Sequence, residues 1–181
     1  ALCAAAGAGS LLAWFAPAAA LDWQPDRAAA EPWRLLTAAF VHWSPLHLGA
    51  NLSGCAVLAF LGHRARLPAR AALAWAAAWP VTHAALALQP ALAHYGGLSG
   101  VLHAGVAVAA VHLLARAGRP RAIGATVLAG LMVKVLLERP WAGPLAHPPG
   151  WDIAVAPLAH AAGAVAGAAA GAVSAWTMRR R

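Results

Sequence analysis

Charge is scarce in this chain: 10 percent of its 181 residues are charged, and only 5 are Asp or Glu. With 62 percent hydrophobic residues and a mean hydropathy of +0.65, an ordinary water-facing domain is excluded. The only glutamates, Glu31 and Glu138, stand in no HExxH or comparable spacing with histidine, which excludes a zinc peptidase. No apolar window holds a pair of aspartates, so a two-carboxylate mechanism is excluded as well. Cys3 and Cys55 lack CxxC spacing and read as small packing residues. No tandem repeat is present, and neither a metal nor a cofactor is expected.

What is present is apolar length. Six windows, 2–21, 46–63, 71–88, 98–115, 121–138 and 153–176, approach the roughly 20 residues that a helix needs to cross hydrocarbon. They show no period-2 alternation, and backbone groups in lipid must be satisfied within the segment, so they read as helices and not barrel strands. The expected fold is all-α, a polytopic bundle of six transmembrane helices forming one domain over 1–181. The first window has no basic segment before it and reads as a span and not a signal peptide.

The net charge of +8 points to a membrane and not to nucleic acid once the charges are placed. Arg64, Arg66 and Arg70 follow the second span, Arg116, Arg119 and Arg121 follow the fourth, and Arg179, Arg180 and Arg181 follow the sixth. Six spans put these clusters on one side, opposite Arg27, Arg34 and Arg139. The positive-inside rule then places both termini in the cytoplasm.

The connections carry their own signals. In 22–45 the segment "EPWRLLTAAFVHW" sets Trp33, Leu36, Phe40 and Trp43 at helix-like spacing, as an amphipathic piece in the outer interface would. Ser44 and Pro45 then read as N-cap and first turn of the second span. Residues 89–97 form an irregular loop ahead of the fourth span, and 139–152, rich in Pro, Gly and Trp, the last external loop.

Serine and histidine remain as the carriers of chemistry. Ser99 follows "GG" and opens the fourth span, where a helix N-terminus offers unpaired N–H groups to a developing oxyanion. Serine also serves membrane helices as interhelical glue, so catalysis and packing both stand for it. His160, Gly163, Gly167 and Gly171 share one face of the sixth span, and a glycine face lets another helix approach to backbone contact. If the partner is the fourth span, His160 is delivered to Ser99 as a general base; the alternative is a packing stripe headed by a buried histidine. His47 and Asn51, one turn apart, place side-chain N–H groups near the outer end of the second span, with His42 just before it orienting the neighbouring backbone. Lys134 and Glu138, at i and i+4 on the fifth span, read as an ion pair, structural or in contact with substrate. His63, His94, His112 and His147 sit near span ends, and His83 reads as a satisfied interior group.

"HWSPLHLGAN", "GLSG" and "AHAAGAVAG" together resemble the three signature regions of rhomboid intramembrane serine proteases, in matching order over about residues 33 to 171. The resemblance implies a six-helix rhomboid bundle, Ser99 as nucleophile and His160 as base with no third acidic member. It further implies Asn51, His47 and the Ser99 N–H as oxyanion hole, with Gly97 giving the substrate room. "GLSGVLHAG" and "KVLLERPW" are similar to the rhombosortase branch, for which His103 would be a marker that either supports the dyad or simply bonds Lys134 or a backbone carbonyl. That branch implies single-pass or C-terminally anchored exported substrates bearing a Gly-Gly tail. It also implies residence in a bacterial inner membrane, with the active site opening to the periplasmic side. Two other readings stand beside it: a multi-histidine haem or electron-transfer membrane protein, and a catalytically inactive rhomboid-like protein that binds clients.

Overall fold

The structure, a computed structural model, describes residues 1–176, so the Arg179, Arg180 and Arg181 cluster lies outside the described residues. Among these residues the chain is helical without strands; two isolated antiparallel bridges join Trp23 to Tyr95 and Ala146 to Val155. The α-helices are α1 (Leu2–Ala13), α2 (Ala18–Leu21), α3 (Arg34–Thr37), α4 (Pro45–Arg64), α5 (Ala69–Ala84), α6 (Ser99–Leu114), α7 (Arg119–Leu137) and α8 (Pro157–Trp176). Four segments are long and apolar enough to cross a bilayer: α4, α5 with its 3-10 extension to Leu88, α7 and α8. The remaining two apolar windows become shorter helices, α1 with 12 residues and α6 with 16.

The first window is not one continuous helix to residue 21. Pro17 has no N–H to give to the preceding turn and disfavours helical backbone at Ala16, so the chain turns after Ala13 and restarts as α2. Likewise the sixth window starts late, because residues 153–156 are drawn into the Ala146–Val155 bridge before Pro157 opens α8.

At the centre stands α6, packed by α4, α5, α7 and α8. A helix that is apolar all round is a buried one, and Val101, Ala104, Ala107 and Ala110 have no exposed surface. The outer faces of the surrounding helices carry Val57, Phe60, Leu73, Val133, Val165 and Val173, a surface fit for lipid.

The glycine face of α8 lies against α6, backbone to backbone. A Cβ on Gly163 would overlap the Gly100 carbonyl oxygen, and one on Gly167 the Ala104 carbonyl oxygen. From the other side, a Cβ on Gly100 would come within 2.8 Å of the Ala159 carbonyl oxygen. No side chain other than hydrogen fits at these crossings. The N-terminal ends of α6 and α8 are thereby held side by side, and Ser99 and His160 lie at those ends.

The segment before α4 departs from a simple interfacial helix. Trp33, Leu36 and Trp43 are exposed as expected, but Phe40 turns inward onto Trp79 at a ring separation of 5.4 Å. Arg34 is buried within the protein: it is 1 percent exposed and reaches Asp22 at 3.1 Å, the Asp22 carbonyl oxygen at 2.6 Å, and Glu31. His94 closes the far side of Asp22 at 2.7 Å. Asp22 therefore accepts from both flanks, and this knot ties the segment after α2 to the loop before α6.

Candidate active site

The loop before α6 is held from several directions. Tyr95 exchanges backbone hydrogen bonds with Trp23, and its hydroxyl donates to the Gly97 carbonyl oxygen at 3.0 Å. The Gly97 N–H donates to the Ala38 carbonyl oxygen at 2.9 Å. Gly97 has φ +136°, a region that side chains strain, and a Cβ there would lie 2.7 Å from His47 Nε2. Ser99 is therefore presented at the first turn of α6 from a backbone path that requires glycine.

The hydroxyl Oγ of Ser99 lies 2.9 Å from Nε2 of His160, which is buried at 6 percent exposure. Those two groups thus meet within hydrogen-bond reach, across 61 positions of sequence. On its far side, Nδ1 of His160 is 2.7 Å from Oε2 of Glu138, a carboxylate where the resemblance implied none. Glu138 follows the last turn of α7, and its other oxygen takes Lys134 Nζ at 2.8 Å.

His103 sits one turn below Ser99. Its ring stacks on that of His160 with centroids 4.2 Å apart and planes 10° apart. Nδ1 of His103 donates to the Ser99 carbonyl oxygen at 2.6 Å, which leaves Nε2 to accept from Lys134 Nζ at 2.6 Å. Both alternatives for His103, a carbonyl and Lys134, are realised at once. Lys134 Nζ is also 3.0 Å from His160 Nδ1, so the ammonium and the carboxylate stand at the same imidazole nitrogen.

Helix α4 and the residues before it supply the opposite wall. Ser44 caps α4, accepting from the His47 N–H at 3.0 Å and donating to Asp152 Oδ1 at 2.8 Å, which ties the 139–156 loop to the helix start. The Trp43 N–H reaches His47 Nδ1 at 3.4 Å, so the His47 proton belongs on Nε2, the atom facing Gly97. Asn51 is buried and donates one amide proton to the His47 carbonyl oxygen at 3.1 Å. His42 donates from Nδ1 to the Phe40 carbonyl oxygen at 3.0 Å and stacks obliquely on His47, with centroids 4.7 Å apart. Burial holds His42 below the usual imidazole range, so it is a neutral ring.

These groups share a cavity of about 580 Å³, whose walls include His47, Asn51, Ser99 and His160. From there it continues along the groove between α4 and α7, past Gly54, Val57 and Leu131. Trp43 and Trp151 stand at the same cavity's outer rim.

Other histidines take structural places. His83 donates from Nδ1 to the Leu35 carbonyl oxygen, 2.7 Å away, but its Nε2 is buried without a partner among the described residues, so it is not the fully satisfied interior group expected. His112 is not solvated at a span end but buried, 3.2 Å from Ser174 Oγ. Among the described residues no group of three or more His, Cys, Asp or Glu is placed to hold a metal ion. All ring nitrogens of His103 and His160 are engaged by protein partners.

Fold and site define an all-helical, multi-pass membrane protein with a serine–histidine pair facing a cavity below its outer rim. The chain matches the Rhomboid domain over residues 29–177 and belongs to the rhomboid family, whose members are in general intramembrane serine proteases acting on membrane proteins. No curated protein and no solved structure matches it.

Proposed function

We propose that this chain is an intramembrane serine endopeptidase of the rhombosortase kind, with Ser99 as nucleophile and His160 as general base. The observation that carries the reading is the 2.9 Å approach of Ser99 Oγ to His160 Nε2 at the buried meeting of two helix ends. Ser99 Oγ attacks a backbone carbonyl carbon of the substrate while its proton passes to His160 Nε2. The resulting oxyanion accepts from the Ser99 N–H, from His47 Nε2–H and from the second amide proton of Asn51. Collapse breaks the C–N bond, and His160 returns the proton to the leaving amine. Water then attacks the acyl-enzyme, giving its proton to His160; the acyl C–Oγ bond breaks, His160 returns the proton to Ser99 Oγ, and the acid product is released.

The substrates are single-pass or C-terminally anchored exported proteins. A helix hides its carbonyls in i to i−4 bonds, so a Gly-Gly pair at the head of the membrane segment favours local unwinding. The groove between α4 and α7 supports access from the bilayer, since Gly54, Val57 and Leu131 line it with apolar surface and the same cavity reaches Ser99. With six spans, the arginine clusters at 64–70 and 116–121 support both termini in the cytoplasm, and the likeness to rhombosortases supports an opening toward the periplasm of a bacterial inner membrane.

The test is mass spectrometry of the C-termini of exported proteins from cells carrying the active chain, Ser99→Ala or His160→Ala. Truncation at Gly-Gly tails with the active chain alone supports the reading. Identical C-termini in all three strains, with each variant folded, overturn it in favour of an inactive client-binding relative. A Soret band in the purified protein would instead favour the haem reading.

A further inference from the structure

From the geometry we infer that Glu138 is a third, acidic member of the catalytic arrangement, a positioning residue that fixes His160 in the protonation state the serine needs. The inference rests on the peptidase reading above. A base that takes the Ser99 proton on Nε2 must carry its own hydrogen on Nδ1. At Nδ1 stands Glu138 Oε2, 2.7 Å away, and an ionised carboxylate only accepts. The contact therefore calls for Nδ1–H and leaves the Nε2 lone pair facing Ser99 Oγ. When His160 becomes an imidazolium during the attack, the same carboxylate balances its charge.

Lys134 turns this contact into a choice between two outcomes. Its ammonium, 3.0 Å from the same nitrogen, would donate into Nδ1 if the carboxylate were absent, and the ring proton would then sit on Nε2, pointed at the serine. In the structure the ammonium also has two closer acceptors, Glu138 Oε1 at 2.8 Å and His103 Nε2 at 2.6 Å, which compete with Nδ1 for its protons. His103, anchored on the Ser99 carbonyl oxygen and stacked on His160, keeps the ring from tilting. The groups facing the His160 ring are thus Lys134 and Glu138 from α7, His103 and Ser99 from α6, with His47 across the cavity from α4.

An amide at 138 does not substitute for the carboxylate. Lys134 holds the oxygen end of a glutamine, which turns the NH₂ toward His160 Nδ1 and imposes the wrong tautomer. In a Ser-His-acid arrangement, that exchange costs up to about 10,000-fold. A merely structural Lys134–Glu138 ion pair has no such effect on the ring.

The test compares the full chain with Glu138→Gln and Glu138→Asp in detergent. Two readings are taken: the rate at which a fluorophosphonate probe labels Ser99, and the tautomer of His160 by ¹⁵N NMR, assigned against His160→Ala. The expected result is Nδ1–H in the native chain, a loss of at least about 100-fold in labelling rate for Glu138→Gln with helicity retained, and recovery to within about tenfold for Glu138→Asp. Equal labelling of native and Glu138→Gln overturns the inference while leaving the peptidase reading intact. An Nε2–H tautomer in the native chain overturns it without any need for the variants to fold. Absence of Ser99 labelling in the native chain sinks the peptidase reading itself, and with it the role of Glu138.

Discussion

At the scale of single residues, the site is a set of constraints on where protons and small backbones sit. Gly97 combines φ +136° with an approach that would put a Cβ 2.7 Å from His47 Nε2. Gly97→Ala therefore strains the backbone by about 1–3 kcal/mol and displaces one of the proposed oxyanion donors. The expected outcome is a lower unfolding temperature together with a loss of about 100-fold in cleavage of a membrane-anchored reporter. Unchanged cleavage would show that the loop does not depend on this conformation. Arg34 makes a second residue-scale case: replacing it by Met leaves Asp22, which is 1 percent exposed, with His94 and Gln24 but without its buried guanidinium. Breaking such a buried pair costs about 3–5 kcal/mol, readable as a drop in thermal stability, while Asp22→Asn in the same background should recover part of it.

Much of the placement of the candidate site residues was legible in the sequence because it is local. Ser99 beside two glycines, His47 and Asn51 one turn apart, and His160 heading a glycine face are all patterns within a few positions. The partners of Glu138 and Arg34 were not legible, for a shared reason. Glu138 already had Lys134 at i−4, an ion pair complete in itself, so nothing local announced that its second oxygen reaches His160, 22 positions on. The burial of Arg34 depends on Asp22, 12 positions earlier and across a chain turn.

At the scale of elements, the crossing of α6 and α8 places the chemistry. Its glycines form a graded series, since added carbons at Gly163 and Gly167 would overlap carbonyl oxygens of α6, whereas one at Gly171 meets the Val108 Cα at 3.1 Å. Alanine at Gly163 or Gly167 should force the helices apart, lowering stability by about 1–3 kcal/mol and reducing Ser99 labelling, with Gly171→Ala milder. Gly130 on α7 has open space around it, so Gly130→Ala should be neutral or stabilising by up to about 1 kcal/mol. Equal effects at all four positions, followed by thermal unfolding and labelling rate, would mean that packing at this crossing is not what holds the site. The cap of α4 offers a smaller test. Ser44→Ala removes both the cap and the link to Asp152, at a cost of about 0.5–2 kcal/mol, and limited proteolysis should cut the 139–156 loop faster. Element boundaries were less legible than element identity, because Pro17 ends α1 early and the Ala146–Val155 bridge delays α8.

At the scale of the whole molecule, a nearly uniform apolar composition gathers most of its buried ionisable groups toward one end, with His112 and Ser174 paired at the other. Lipid solvates the outside, so the few polar groups gather where they satisfy one another: Asp22 with Arg34 and His94, and Ser99 with His160, Glu138, Lys134 and His103. The first of these clusters braces the loop that presents the second. Membership of the rhomboid family agrees with the expected resemblance, and the rhombosortase specificity remains the proposal that exported C-termini test. The most direct measurement of the central claim is peptide mapping of the native chain and of His160→Ala after exposure to a fluorophosphonate probe. Activation of Ser99 by His160 predicts a single adduct on the Ser99 peptide of the native chain and none on the folded variant. Equal modification of both, or none on either, would contradict it.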